Sequence, residues 1–434
     1  MFTSYYAPIE GGETVFTVDP RPIKFGPGAI AELGADARAL GMRRAALFTD
    51  AAVAALEPTA RAREALRAAG VEVAIYDRTL VEPTDQSFAQ AARFVADGGF
   101  DGVISIGGGS VIDTAKAANL FASHPAQLLS YVNKPIGEGR AVPGPLLPHI
   151  ACPTTAGTGS ESTGVTVFDY LAQRVKTGIS SKHLKPSLGL IDPEFTYSLP
   201  PLVTASTGFD VLTHAIESYT ALPYTRRPRS ADPAQRPPYQ GANPHSDLGS
   251  LEAIRLGGEF LVRAVNDPAD REARIAMMYA ATMAGISFGN AGVHIPHAMS
   301  YSVAGMIRDY QPAGWPAGHA LCPHGISVIV NAPAAFRFTG PAAPERHLQA
   351  AAALGADVHG AAANNAGALL ADTLADMMHR TGIPNGVGAL GYTREDIPGL
   401  VEGAFAQQRL LAGAPLPVTR EHLRALYEDA MRYW

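Results

Sequence analysis

Between residue 25 and about residue 150 the hydrophobic period switches repeatedly, and that alternation most limits what this chain can fold into. Residues 28–41 show helical spacing, 44–49 (Arg-Ala-Ala-Leu-Phe-Thr) read as a strand, and 56–69 are helical again. Residues 71–76 alternate, 85–97 return to the helical period, and 102–106 (Gly-Val-Ile-Ser-Ile) form a buried strand. This order predicts a parallel sheet with helices on both faces. A few more short strands are expected between 150 and 191. At Pro200-Pro201 the strand signals stop, and Ala-rich helical segments follow over 250–266, 271–287, 345–354, 362–380 and 396–411. We therefore expect an α/β domain over 1–199 and an all-α domain over 200–434. The proline-rich stretch 222–246 reads as a long irregular loop.

Three features of the α/β part suggest a nucleotide. Strand 102–106 runs into Gly107-Gly-Gly-Ser-Val-Ile-Asp113 and then a helix. Glycines there let backbone amides approach a pyrophosphate, and the helix N-terminus favours negative charge. Asp50 follows the strand at 44–49. An acid there can bind an adenosine ribose and repel a 2′-phosphate, or it can simply cap the next helix. Pro153-Thr-Thr-Ala-Gly-Thr-Gly-Ser-Glu161 places hydroxyls and glycines after another apolar strand.

The helical part carries the chemistry. In Thr207-Gly-Phe-Asp-Val-Leu-Thr-His-Ala-Ile-Glu-Ser218, Asp210 and His214 stand four apart. On a helix they fall about 40° apart, on the face roughly opposite the stripe Phe209, Leu212, Ile216 and Tyr219. An isolated pair of this kind is usually a solvated helix face. Here the flanks are Gly, Leu, Thr, Ala and Ile, so the pair calls for a buried partner. A carboxylate and an imidazole side by side can hold a divalent metal, and His294, His297 and His324 offer further ligands. One acid with three imidazoles suits iron(II) or zinc and is too rich in nitrogen for magnesium or calcium.

Composition narrows the classes. The chain has 434 residues, 47% apolar and 17% charged, which means a compact protein of two or three domains. A net charge of −6 argues against nucleic acid or an anionic membrane as partner. No apolar run reaches the length of a membrane span. MFTSYYAPIE has neither signal-peptide nor transit-peptide layout, and Cys152 and Cys322 read as buried thiols in a reducing compartment. A cytoplasmic protein is expected.

GGGSVIDTAK, PTTAGTGSE, GLIDP, GFDVLTHAIES and the PHG histidine, in this order, resemble the iron-dependent (group III) alcohol dehydrogenases over nearly the whole chain. Within that family FTVD, VEPTDQSF, AANLFAS, LPY, SFGNAGVH and the insertion ending in YQGANP resemble the hydroxyacid–oxoacid transhydrogenase branch. The resemblance implies a Rossmann-like dinucleotide-binding domain, an all-α metal-binding domain and a metal in the cleft between them. It implies Asp210, His214, His297 and His324 as metal ligands, with His294 and His319 as runners-up. Gly108, Gly109, Ser110 and Asp113 would hold the pyrophosphate region, Asp50 the ribose, and Thr154, Thr155 and Thr158 the nicotinamide side. Lys176 falls where the family often has a nucleotide-contacting lysine. Where many members carry another histidine near the nicotinamide this chain has Tyr301, so Tyr301 or His294 is the candidate proton relay.

The implied activity is hydride transfer from a hydroxyacid such as 4-hydroxybutyrate to an oxoacid such as 2-oxoglutarate, using Fe2+ (or Zn2+) and NAD. The alternatives are an alcohol dehydrogenase or aldehyde reductase that releases NADH, and a dehydroquinate synthase-like lyase. The lyase would need converging basic residues, and 270–330 offers only Arg271, Arg274 and Arg308. Expected partners are small molecules, with no nucleic acid or membrane and room for a homo-oligomer. Arg226, Arg227, Arg229 and Arg236 lie in the proline-rich insertion. Of these Arg236, stiffened by the prolines after it, is the candidate for binding a substrate carboxylate.

Overall fold

The computed structural model describes residues 4–173, 175–233, 236–315 and 320–434. The chain divides into two compact units, Pro20–Ser198 and Met1–Asp19 with Leu199–Trp434.

The first unit is built on six parallel strands. They are β1 (Ile23–Phe25), β2 (Arg44–Phe48), β3 (Glu72–Tyr76), β4 (Gly102–Gly107), β5 (His149–Pro153) and β8 (Leu188–Ile191), in spatial order β1-β8-β5-β4-β2-β3. A separate antiparallel hairpin joins β6 (Val165–Tyr170) to β7 (Val175–Ser180). Period-two alternation sorts the side chains of β2. Ala45 and Leu47 join Leu33, Ala37, Ala62 and Leu66 of helices Leu33–Ala39 and Glu57–Ala68 on one face. Ala46 and Phe48 join Ala91, Val95, Val111 and Ala115 of helices Asp85–Gly98 and Gly109–Ser123 on the other. The central strand β4 is buried along its whole length, as a sheet covered on both faces requires. From β2 the chain steps outward to β3, then returns to β4 and continues the other way. The crevice beyond the carboxyl ends of β2 and β4 is therefore the topological switch point, where sheets of this kind bind ligands.

The second unit is helical. Its longest members are Pro201–Thr220, Pro244–Asn266 and Arg271–Ala291, which pack on one another. Proline at the first position opens Pro201–Thr220, where a missing N–H costs nothing. Seventeen of its twenty residues are buried, so this helix runs through the core. Helix Pro244–Asn266 starts earlier than its apolar period suggests, because Asn243 and Ser246 form a capping box. The proline-rich segment thus ends at Asn243 and contains a short 3-10 turn, Tyr224–Arg226. Arg271–Ala291 ends at Gly292, whose φ of 95° is open to glycine and not to a bulkier residue. The expected helix over 396–411 is two pieces, Ile397–Phe405 and Gln408–Leu411.

Residues 1–19 were expected with the α/β domain, and the structure counts them with the helical unit. Two tyrosines explain the difference. Tyr5 donates to Ala221 O and Tyr6 to Asp247 Oδ2, and Arg346 lies 4.4 Å from the centre of the Tyr5 ring. No helix among the described residues is long and apolar enough to cross a membrane.

Candidate metal and nucleotide sites

Helix Pro201–Thr220 places Asp210 and His214 one turn apart. His297 comes from the first turn of helix Ile295–Gly305, and His324 opens helix His324–Ile329. Asp210 Oδ1 lies 3.8 Å from His214 Nε2, 3.7 Å from His297 Nε2 and 3.6 Å from His324 Nε2. One ligand atom from each of the four lies within 4.8 Å of every other. These separations are too long for hydrogen bonds. They are near the edge of a ligand tetrahedron, about 3.4 Å for metal–ligand bonds of about 2.1 Å.

Two further observations fit a cation. Asp210 Oδ1 and His297 Nε2 are buried without a hydrogen-bond partner, a costly state that a shared metal would relieve. The rings are also fixed. His214 stacks on Phe288 at 3.9 Å and on His297 at 4.5 Å. Burial would raise the Asp210 pKa, but the surrounding imidazoles outweigh it and hold the carboxyl well below its usual range. Burial pushes His214 down to about 3, keeping the imidazole neutral and able to ligate. The side chain of His324 is 30% exposed while those of the other three are 5% or less, so the site opens at His324.

Behind the cluster stands Glu217, which sequence reasoning missed. It is fully buried and accepts the backbone N–H of His294 at 2.7 Å and of His297 at 3.3 Å. Its other oxygen accepts from His297 Nδ1. The carboxylate thus caps helix Ile295–Gly305 from outside and fixes the ring that turns Nε2 toward Asp210. The signal was present: Asp210, His214 and Glu217 are spaced i, i+4, i+7 on one helical face.

His294 belongs to this rear layer. Thr220 commits its only proton to Ile216 O, so the 3.1 Å contact between Thr220 Oγ1 and His294 Nε2 needs the proton on the histidine. Burial pushes the His294 pKa down to about 4. With no exposed surface and this fixed tautomer, His294 is structural, which corrects its candidacy as a relay. Tyr301, one turn after His297, is 9% exposed. His319 lies outside the described residues.

In the α/β unit the nucleotide candidates divide. Gly108 to Ser110 follow β4, and the Thr154–Thr158 loop follows β5, its register partner. A Cβ on Gly109 would come within 2.6 Å of Thr158 Cγ2, and one on Gly108 within 3.4 Å of Thr155 Cγ2. The two loops meet most closely at Gly109, where a side chain would have to displace Thr158, while at Gly108 they are in ordinary contact distance. Buried Thr154 donates its N–H to Gly107 O at 3.0 Å. Gly108 precedes helix Gly109–Ser123 in extended conformation, so the first-turn amides point into the switch-point crevice. Asp50 stands across that crevice, beyond β2. Its Oδ1 caps Ala52 N and Val53 N, both at 2.9 Å, which leaves Oδ2 for a ligand.

Three candidates are used by the chain itself. Asp113 Oδ2 accepts from Val167 N at 2.8 Å, so its side chain struts the helix against β6 and not a pyrophosphate. Lys176 is buried between Glu82 and Asp169. Burial would lower its pKa, but the two carboxylates outweigh it and hold the amine charged, with its bonds spent within the chain. Glu82, in turn, adopts φ 57° and donates its N–H to Ser110 Oγ at 3.3 Å, buttressing the glycine loop. Arg236 Nε bonds Glu13 Oε2 at 3.2 Å, so its carboxylate comes from the first residues of the chain and not from substrate. A charge run shows in sequence, but its partner does not.

The glycine loop at a switch point and the four-group cluster define a dinucleotide-linked metal oxidoreductase. The comparisons make this specific, because residues 20–193 match the iron-containing alcohol dehydrogenase family and 239–431 match the C-terminal part of the Fe-containing alcohol dehydrogenase family. The chain belongs to this family. It is 47% identical over 432 residues to the mitochondrial hydroxyacid-oxoacid transhydrogenase of Xenopus tropicalis, covering 99% of this chain and 93% of that protein. Among solved structures it resembles a 1,3-propanediol oxidoreductase (28% identity, TM-score 0.84, 96% of this chain and 100% of that one). It also resembles sulfoacetaldehyde reductase from Bifidobacterium kashiwanohense in complex with NAD+ (27% identity, TM-score 0.78, 96% and 99%). The expected cytoplasmic location is overturned, because the Xenopus relative is named as mitochondrial. Two reduced thiols cannot separate cytosol from other reducing compartments.

Proposed function

We propose that the chain transfers hydride from a hydroxyacid to an oxoacid, with 4-hydroxybutyrate and 2-oxoglutarate as the test pair and NAD retained between the two half-reactions. The observation that carries this reading is the cluster Asp210, His214, His297 and His324, of whose four side chains His324 is the exposed one. The likeness to the Xenopus transhydrogenase supports the substrate class, and the sulfoacetaldehyde reductase complex supports NAD.

Asp210, His214, His297 and His324 would hold the metal, for which we propose iron(II). When bound, the metal acidifies a substrate hydroxyl or polarises a carbonyl, and NAD carries the hydride. The chain's own groups do the rest. Asp210 contributes the negative charge, neutral His214 stays rigid against Phe288, and Glu217 keeps His297 in the ligating tautomer. Burial of these groups keeps water from the inner face of the site. Tyr301 sits one turn from His297 and is our candidate for passing the hydroxyl proton outward. Gly108, Gly109 and Ser110, with Thr154, Thr155 and Thr158, would take the pyrophosphate and nicotinamide side, and Asp50 Oδ2 the adenosine ribose.

The test uses iron-loaded enzyme with 4-hydroxybutyrate and 2-oxoglutarate and no added NAD. Formation of 2-hydroxyglutarate with parallel-line initial-rate kinetics is expected. Turnover that requires free NAD and releases NADH stoichiometrically would make this a plain alcohol dehydrogenase.

A further inference from the structure

Three stretches singled out in the sequence, 16–19 (FTVD), 239–244 (YQGANP) and 287–294 (SFGNAGVH), supply no metal ligand and no nucleotide group, yet they meet in one network of the helical unit. The side-chain amide of Gln240 clasps Thr17. Its Oε1 accepts from Thr17 N at 2.8 Å, and its Nε2 donates to Thr17 O at 3.2 Å and to Thr17 Oγ1 at 2.8 Å. Asn290 Nδ2 donates to the same Thr17 O at 2.7 Å, and Asn290 Oδ1 accepts from Asn243 Nδ2 at 2.7 Å. Thr17 O can only accept, which fixes the orientation of the Asn290 amide. The last carbonyls of helix Arg271–Ala291 need partners from outside the helix, and the insertion supplies two. Gln240 N bonds Asn290 O at 2.8 Å, and Gly241 N bonds Ala291 O at 3.0 Å.

The clasped turn is also the one that meets the metal ligands. Phe288, two residues before Asn290 and so about 200° round the helix from it, stacks on His214 at 3.9 Å with the ring planes 5° apart. The chain leaves the helix at Gly292, whose N–H donates to Phe288 O at 2.7 Å. Two residues further on, His294 N is held by Glu217, and His297 follows in the first turn of the next helix. The link from Asn290 to His297 is thus tied at both ends, to Thr17 and the insertion at one and to Glu217 at the other. A close-packed interior transmits displacement, so a shift of this last helical turn moves the Phe288 ring against His214 and the start of the His297 segment together.

We propose that Asn290 is a positioning residue for the metal centre, and that residues 5–19 act through it as a strap that slows metal release. This rests on the metal reading of the Asp210 cluster. Thr17 stands 273 residues before Asn290, so the beginning of the chain braces a turn that lies between two metal ligands in sequence. Gln240, Asn243 and Asn290 are buried and their amides are paired with one another or with Thr17, so the clasp is held away from competing water. With the clasp broken, the turn loses its outer support, the Phe288 stack on His214 loosens, and the ligand set opens more often.

The experiment compares wild type with Asn290→Ala, with Thr17→Pro, which removes the N–H that Gln240 accepts, and with the double variant. Capture of iron(II) from the loaded proteins by excess chelator, well below the melting temperature, should be about 3–10-fold faster in each single variant, the effect of about one buried hydrogen bond. The double variant should release iron no faster than the faster single one, because both changes break the same clasp. Hydrogen–deuterium exchange should rise over 288–299 and stay at the wild-type level in helix Ala366–Arg380. Thr17 is exposed, so its variant carries the test should Asn290→Ala not fold. Unchanged release in either single variant overturns the proposal, as do additive effects in the double variant. Exchange raised uniformly also overturns it, since that marks a loss of overall stability alone. Should wild type hold no iron, the metal reading fails by itself, and exchange in the metal-free proteins decides the strap. A rise over 288–299 in Thr17→Pro supports it, and wild-type exchange there overturns it.

Discussion

Glu217→Gln is the sharpest perturbation of the metal centre, because it keeps the volume and one acceptor oxygen while removing the charge. Glu217 accepts three bonds, two from backbone N–H groups and one from His297 Nδ1. A glutamine oxygen can still serve the two backbone donors. Its amide nitrogen then faces Nδ1–H, donor against donor. Relief requires the proton to move to Nε2, the atom aimed at Asp210, which disables His297 as a ligand. The lost bond is charge-assisted and buried, worth about 1.5–3 kcal/mol. Removing the carboxylate behind a ligating histidine lowers metal affinity about 10–100-fold, or about 1.4–2.7 kcal/mol, consistent with that bond. Chelator competition with iron(II) or with cobalt(II) should show this loss, and the cobalt absorption bands should shift as the ligand field changes. Thr220→Val, which disturbs only His294 and the backbone of the same helix, should leave the affinity within about twofold. An equal affinity in wild type and Glu217→Gln would refute the reasoning.

The remaining predictions follow from the same geometry. His214→Ala and His324→Ala should each lose bound metal and activity, while His319→Ala should keep both; elemental analysis of the purified variants decides. Asp50→Gly should relax a preference for NAD over NADP, measured as the ratio of their dissociation constants, because it removes the acid beside the switch-point crevice. Burial would raise the Glu13 pKa, but Arg236 and the backbone donors of Ser230, Thr14 and Val15 outweigh it and hold the group down at about 2. A depressed carboxyl pKa stabilises the fold above its unfolded value of about 4.3 and loses that contribution as pH falls through 2. The melting-temperature difference between wild type and Glu13→Gln should therefore be full at pH 7 and shrink below about pH 4. Arg236→Ala should follow the same pH profile.

How far the sequence could be read depended on whether an interaction is local or distant. The βαβ alternation, the glycine loop and the i, i+4 pair Asp210–His214 are local, and the structure brings all three into the places their spacing implies. Helix starts were harder where a cap outweighs the apolar period, as at Asn243, six residues ahead of the first consecutive buried pair, Gly249 and Ser250. The errors at the sites have one physical cause. Asp113, Lys176 and Arg236 are charged groups of the right type beside the right motifs, but each is satisfied by a group remote in sequence. Val167 lies 54 residues from Asp113, Glu82 lies 94 from Lys176, and Glu13 lies 223 from Arg236. A buried charge must find a partner, and sequence shows only the need. What sequence cannot supply is the pairing list, and the charges left over from that list are where a ligand is to be sought.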